Sequence, residues 1–419
     1  MKKKMITLAL AAFSVMTVSA QQQLTVSVTN PSATVRTDQA VVIPISSYGE
    51  VRRALVTCEG KEIPCQLDDL DQDEVFDELC FLVDLKAKQQ LKYEVQLFSD
   101  LCDEPTKYPA RVFTEMLIRN DKVKEKNKHN NFIESITARG DCANSYNLQH
   151  HHGVDFESEL NGIRIYFDKR QTLDLYGKFQ KRLELEATQF YTQPQQKAYG
   201  YGDDVLWVGN TFGLGAFRGW DGQQPTMIDP VSSRTQRIIS YGPLRTIVEV
   251  IDKGWKAAAN RPAINLTIRY IQYAGHRDTD VEVYFTKKHV DISRYQFSTG
   301  IIDVKGSTEF TDKKGLRGCW GSDYPTGDSI NTNRETVGLG ILVPQKNIVK
   351  EVAANKDRTL SGGNYTFVVG TDSNVLKYKV TYTSANETFG YHSADDWFAY
   401  LRQWRKEVEN PIKVIVAKH

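Results

Sequence analysis

Three consecutive histidines, His150, His151 and His152, stand in YNLQHHHGVDFESELNGIRIYF, upstream of YGYGDDVLWVGNTFGLGAFRGWDG. Imidazole is the side chain whose proton moves near neutral pH, so a row of them is a candidate for acid–base work. Carboxylates at Asp155, Glu157, Glu159, Asp203 and Asp204 lie close by in sequence, alongside tyrosines, Trp220 and Arg218. Glycines that let backbone approach a ligand, beside aromatic plates and charges, are what a sugar cleft needs, and the stretch 146–222 reads as its floor. His150 and His152 also form an H-x-H pair that suits zinc or copper, although no acidic third ligand is placed by spacing alone.

These residues must be held by strands. GVDFESEL and IRIYFDK flank Asn161-Gly162, a dipeptide that suits a type I′ hairpin turn. If extension runs back through the histidines, alternation puts His150 and His152 on one face and aligns His151 with Asp155, Glu157 and Glu159 on the other. Downstream, RTQRIISYGPLRTIVEVI, INLTIRYIQYAG, TDVEVYFTKK, YQFSTGIIDV, ETVGLGILVP, YTFVVG and LKYKVTYTSA read as further strands, enough for large antiparallel sheets packed face to face. LDLYGKFQKRLELEATQFY has mixed periodicity and fits neither template. Trp207, among apolar neighbours, reads as core. A closing helix is expected in SADDWFAYLRQWRKEVENP. Ser393 caps it, Trp397, Leu401, Trp404 and Val408 form its apolar stripe, and Pro411 follows its end.

Toward the N-terminus, residues 24–97 alternate in short runs such as LTVSVTN, AVVIPIS and LKYEVQLF, the pattern of a small β-sandwich. Asp69, Asp71 and Asp73 repeat the one-three-five spacing of a calcium loop, but Glu74 stands where the sharp bend wants glycine and Cys80 where glutamate should close it. A solvated acidic turn is the plainer reading, and no other cofactor is expected. The first twenty residues carry Lys2, Lys3 and Lys4, an apolar run and a small-x-small end, the pattern of a cleaved secretory leader; a periplasmic or secreted protein is expected, with no membrane span. Loss of those three lysines with no acid takes the formal charge from +1 to −2, which gives no electrostatic reason to expect nucleic acid. Export permits disulfides, and Cys58 and Cys65 flank a turn short enough for a local bridge, with free buried thiols the alternative. The expected organisation is a leader at 1–20, an N-terminal β-sandwich at 21–105, a connecting segment at 106–131 and a large antiparallel β-supersandwich with a C-terminal helix at 132–419.

The segments HHHGVDFESE, YGYGDDVLWVGNTFGLGAFRGWDG, SYGPLRTIVEV and YAGHRDTDVEV resemble a domain-of-unknown-function family (family 4861) of exported proteins from bacterial polysaccharide-utilisation gene clusters. GKEIPCQLDDLDQDEVFDEL and WFAYLRQWRKEVENP fit the same family, so the resemblance spans nearly the whole chain beyond the leader. It implies the supersandwich fold shared with aldose mutarotases and several polysaccharide lyases, and work on oligosaccharides rich in uronic acid, with oligosaccharide dehydratase activity in or near the group. It carries over no catalytic residues.

Elimination at a uronate requires a base for the C5 proton, an acid for the departing C4 oxygen and a cation for the carboxylate. His151 or His152 is the candidate base, and Tyr201 or Tyr199 the candidate acid. Arg218, Arg234 or Arg237 is the bidentate clamp that lysine cannot copy. His276 and Arg277 in the turn YAGHRD are placed in the same site, and Trp220, Trp320 and Tyr324 are candidates for stacking on sugar rings. A hydrolase using two of the nearby carboxylates, or a non-catalytic glycan binder or mutarotase-like protein, is the alternative.

Overall fold

The computed structural model describes residues 22–100, 108–118, 132–326, 329–330, 332–354 and 363–418. The leader expected at 1–20, Cys102 and the loop KVKEKNKHNN lie outside the described residues. The chain is mainly β, in antiparallel sheets that form a small sandwich followed by a large one.

In the small sandwich, alternation in Gln22–Thr29 turns Leu24, Val26 and Val28 inward. That strand pairs with Gln90–Phe98, which pairs with Arg53–Cys58. A three-stranded sheet of Arg36–Pro44, Glu78–Leu85 and Cys65–Asp68 closes the other side. Cys58, Cys65, Cys80, Cys142 and Cys319 are all free thiols, so the local Cys58–Cys65 bridge does not form. The acidic loop caps itself: Asp69 accepts the backbone N–H groups of Gln72 at 2.7 Å and Glu74 at 2.8 Å, and Asp73 accepts that of Val75. The carboxylates that converge there are Asp69, Asp71 and Asp77, without Asp73.

In the large sandwich a nine-stranded sheet, running from Ser135–Arg139 at one edge to Thr308–Thr311 at the other, packs against two five-stranded sheets over one continuous core. The helix Ala394–Glu409 lies on the outer face of that sheet, started by the Ser393 hydroxyl, which accepts the Asp396 N–H at 3.2 Å. Trp397, Leu401 and Trp404 are buried, as their spacing requires. Gly318 and Gly340 let the helix approach, since a Cβ on either would stand 2.3 Å or 2.5 Å from a Leu401 methyl.

The two sandwiches are joined through buried polar groups. Arg245 meets Asp68 and Glu78, each at 2.7 Å, and the Gln66 side-chain carbonyl accepts the Leu244 and Arg245 N–H groups. After the helix, Lys413–Lys418 crosses back and pairs antiparallel with Gln22–Thr29, so the last residues join the segment 21–105 rather than the rest of 132–419. The Asn161-Gly162 turn also differs from expectation. Gly162 already belongs to the strand Gly162–Tyr166, and the buried Asn161 side chain bonds Ser158, Gln272 and the Arg277 carbonyl instead of sitting at a positive-φ hairpin corner.

Candidate active site

The strand Gly153–Ser158 sends Val154 and Phe156 into the shared core and turns Asp155 and Glu157 to the opposite face of its five-stranded sheet. Register then assembles a row of charges. Glu115, in Val112–Glu115, stands opposite Asp155 on one side, and Arg164, in Gly162–Tyr166, stands opposite it on the other. Asp174, in Leu173–Gly177, pairs with Arg164, and Asp204 reaches the same guanidinium from the edge strand. The segment 178–204 roofs this face. Its Lys178 ammonium is buried against Glu157, whose oxygens also accept the Glu184 and Leu185 N–H groups, so Glu157 is spent on holding the roof.

The histidines form a 3-10 turn, not an extended strand. His151 and His152 have φ of 57° and 67°, a left-handed backbone rare outside glycine. Backbone bonds from His150 N–H to the Leu117 carbonyl and from Phe167 N–H to the His152 carbonyl hold the turn. Gly153 follows because a Cβ there would stand 1.7 Å from the Ile165 carbonyl oxygen. His151 turns inward and its Nε2 lies 3.1 Å from Glu115 Oε1 and 3.6 Å from Asp155 Oδ2. His152 stacks on Tyr146 with ring centres 3.7 Å apart, and its Nδ1 lies 3.0 Å from the Tyr146 carbonyl oxygen. That oxygen only accepts, so Nδ1 carries the proton and Nε2 is the basic nitrogen of the neutral ring. His150 meets His151 edge-on at 4.1 Å, and Tyr191 lies 6.0 Å from His150 and 5.9 Å from His151.

Burial governs the electrostatics. It pushes the Glu115 carboxyl far above the usual range, reinforced by the Asp155 charge, and raises Asp155 likewise, reinforced by Glu157. The pair therefore holds at least one proton at neutral pH. Burial, with His150 and Arg164 nearby, holds His151 well below its ordinary value and neutral. Asp204 is also raised, by burial and then by Asp174, with Arg164 opposing. Tyr191 is 39% exposed and its hydroxyl accepts from Arg164 at 3.0 Å. Burial raises its pKa more than Arg164 lowers it, so it stays a phenol with a cation at its oxygen. Arg170 lies over the Tyr146 and Tyr166 rings, with its Nε and one terminal nitrogen on Asp168.

Of the residues assigned to base, acid, clamp or stacking from sequence, only His151 and His152 lie here, joined by His150, Asp155, Glu157 and Asp204 from the histidine row and nearby carboxylates. Tyr201 carries the Arg182 guanidinium on its ring at 4.0 Å, and Tyr199 is exposed. Arg218 is buried on Thr172 and the Thr211 carbonyl, and the Trp220 ring faces Lys350. Arg234 is fully buried on Asp252 and the Ala143 and Ile228 carbonyls, and Arg237 pairs with Glu249 and Gln72. Trp320 packs under the C-terminal helix, and Tyr324 is half-buried in the turn beyond it. His276 and Arg277 sit at the far end of Gly153–Ser158, about 16 Å along the strand from the histidine turn at ~3.3 Å per residue. There His276 meets Asp278 and the Asp38 carbonyl, and Arg277 meets Glu387. A cavity of about 670 Å³ lies beside them, against Tyr391, Tyr400 and Trp404. Its histidine and arginine are already paired, which makes the strained histidine turn with its protonated carboxyls the better candidate.

Sequence reasoning missed Glu115, Tyr146, Arg164, Tyr166, Asp174 and Tyr191. The alternation of Arg164 with Tyr166 and of Asp174 with Tyr176 was the available signal. Asp203 pairs with Lys197 and Glu159 with Arg111, which leaves Asp204 as the partly open carboxyl of the hydrolase set. Trp207 is 56% exposed rather than core, three residues from Asp204.

No curated protein matches the sequence significantly. Among solved structures, the chain is similar to a protein in glycosyl hydrolase family 38 from Enterococcus faecalis, at 9% identity and a TM-score of 0.45, over 95% of this chain and 47% of that one. It is likewise similar to an alpha-mannosidase from Enterococcus faecalis V583, at 10% identity and a TM-score of 0.46, over 96% and 46%. The chain thus spans about half the length of either, and similarity at this level carries no function across. The family model that matches does so over residues 28–414, nearly the whole chain, and its description is a domain of unknown function, DUF4861; the chain belongs to that family.

Proposed function

We propose that the chain is an exported carbohydrate-active enzyme that eliminates a C4 substituent from a uronate at an oligosaccharide end. His152 Nε2, or His150, takes the C5 proton. The C5–H electron pair forms the C4=C5 bond as the C4–O bond breaks, and the Tyr191 phenol protonates the leaving oxygen. Arg170, with one terminal nitrogen not on Asp168, neutralises the substrate carboxylate. Tyr191 and Trp207 offer exposed rings to adjacent sugars.

The observation that carries this reading is the Tyr191 hydroxyl, held by Arg164 and set beside the histidine turn. The test is incubation with uronate-terminated oligosaccharides while following absorbance at about 230–235 nm, where the conjugated enoate produced by elimination absorbs. No rise with any such substrate removes the proposal. A hydrolase is the second reading, favoured by the raised pKa of the partly open Asp204 beside Asp174. It releases reducing sugar without the chromophore. Binding without either product points to a glycan-binding protein.

A further inference from the structure

The elimination scheme leaves the most deeply buried part of the site unused. Glu115, His151 and Asp155 each bring a ligand atom into one cluster in which those atoms lie within 4.8 Å of one another. The three side chains have no solvent exposure. Neither carboxylate oxygen of Asp155 has a hydrogen-bond partner among the described residues, a costly arrangement for a group with no access to water. The charge balance sharpens the anomaly. Glu115, Asp155, Asp174 and Asp204 set four carboxylates along one row against the single guanidinium of Arg164, because Glu157 is already answered by Lys178.

We propose that Glu115, His151 and Asp155 bind a first-row divalent cation of the zinc or manganese class. One imidazole with two carboxylates is a donor set for such ions rather than for copper(I), which seeks sulfur. A tetrahedral zinc with bonds of about 2.0–2.2 Å holds neighbouring donor atoms roughly 3.3–3.5 Å apart. The gaps from His151 Nε2 to Glu115 and Asp155, 3.1 Å and 3.6 Å, bracket that spacing. Three protein ligands leave the fourth position of a tetrahedron for a bound water. The charge of the cation answers the excess of carboxylates in the row. This site differs from the H-x-H pair of His150 and His152, which flank the inward-facing His151 instead of converging. It stands independently of the elimination proposal.

The test uses the full chain purified without chelator, with metal content measured by plasma mass spectrometry. After chelation the protein is titrated with Zn²⁺, Mn²⁺, Co²⁺, Mg²⁺ and Ca²⁺ by calorimetry. The expected result is about one equivalent of a transition dication, with a Tm rise of about 3–8 °C on rebinding. X-ray absorption of the zinc form should show one imidazole and otherwise oxygen ligands. The near-isosteric Asp155→Asn and Glu115→Gln should each weaken binding about 100-fold or more with unchanged circular dichroism, whereas Asp71→Asn in the exposed acidic loop should not. Absorption on the unmodified protein keeps the test valid should either variant misfold. Substoichiometric metal with no thermal shift from any of the five ions would overturn the proposal. So would sulfur ligation, or binding that survives both substitutions. Metal content is read without substrate, so its failure is separable from absence of the enoate chromophore.

Discussion

Replacing Tyr191 with phenylalanine removes one oxygen and leaves the ring beside His150 and His151 in place. The structure sets the two costs apart. The lost hydrogen bond is the 3.0 Å contact from Arg164, and Arg164 keeps Asp174 and Asp204 as partners. On a phenol 39% exposed, such a bond contributes about 1 kcal/mol or less to stability. Removing a general acid costs about 10²–10⁴ in rate, or roughly 2.7–5.4 kcal/mol at ~1.36 kcal/mol per tenfold. Tyr191→Phe should therefore lower kcat/KM for enoate formation by at least about a hundredfold, with Tm nearly unchanged. Tyr201→Phe, whose ring keeps its contact with Arg182, serves as the control. The assay is initial-rate absorbance on a uronate oligosaccharide, paired with thermal denaturation. Activity within about threefold of the parent would refute the assignment of Tyr191 as the acid, and loss in Tyr201→Phe instead would restore the sequence-based choice.

Asp174→Ala leaves the buried Arg164 and the Tyr166 hydroxyl without their shared carboxylate, and should cost about 3–5 kcal/mol, lowering Tm by about 4–6 °C. A denaturation midpoint unchanged from the parent would show that the row is not held by that carboxylate. Gly153→Ala places a methyl on the Ile165 carbonyl, so the strand pair must separate just behind the histidine turn, and both Tm and enoate formation should fall together. For His276, burial opposes the charge but the hydrogen bond and charge of Asp278 outweigh it, so its folded pKa lies above the ordinary value. Its stabilisation is complete below about pH 6.5 and is lost as pH rises through the folded value. Urea midpoints should therefore drop as pH rises above about 6.5 in the parent and drop less in His276→Gln, and parallel slopes would exclude the linkage.

The parts of this fold that were legible in the sequence are those set by local periodicity. LTVSVTN turns Leu24, Val26 and Val28 inward as two-residue alternation dictates, and Ser393 with Trp397, Leu401 and Trp404 specifies a capped helix and its face. The neighbourhood of His151 and Asp155 was also foreseen, though for another reason. They meet because a left-handed turn folds the imidazole inward, not because a strand continues through the histidines. What stayed hidden was which strand lies beside which. Glu115 fell in a stretch read as a connection, yet register puts it opposite Asp155. Arg164 meets Asp174 only through pairing that one-dimensional patterns do not encode. The glycine-rich run 209–219 misled for a related reason, because its glycines serve packing as well as ligand approach. Gly213, at φ 55°, would set a Cβ 2.0 Å from the Leu173 carbonyl oxygen, and Phe212, Leu214 and Phe217 beside it are core.

The strand Lys413–Lys418 ties Leu24 to Lys418 and Thr29 to Lys413. A sheet whose rim comes from so distant a stretch of the polypeptide cannot be completed until that stretch has been synthesised, so the first-made sandwich waits for residues made much later. Until then Gln22–Thr29 presents an open flank that invites pairing with another copy. The same closure brings both described ends onto one sheet, where a short linker can join them and new ends be opened elsewhere.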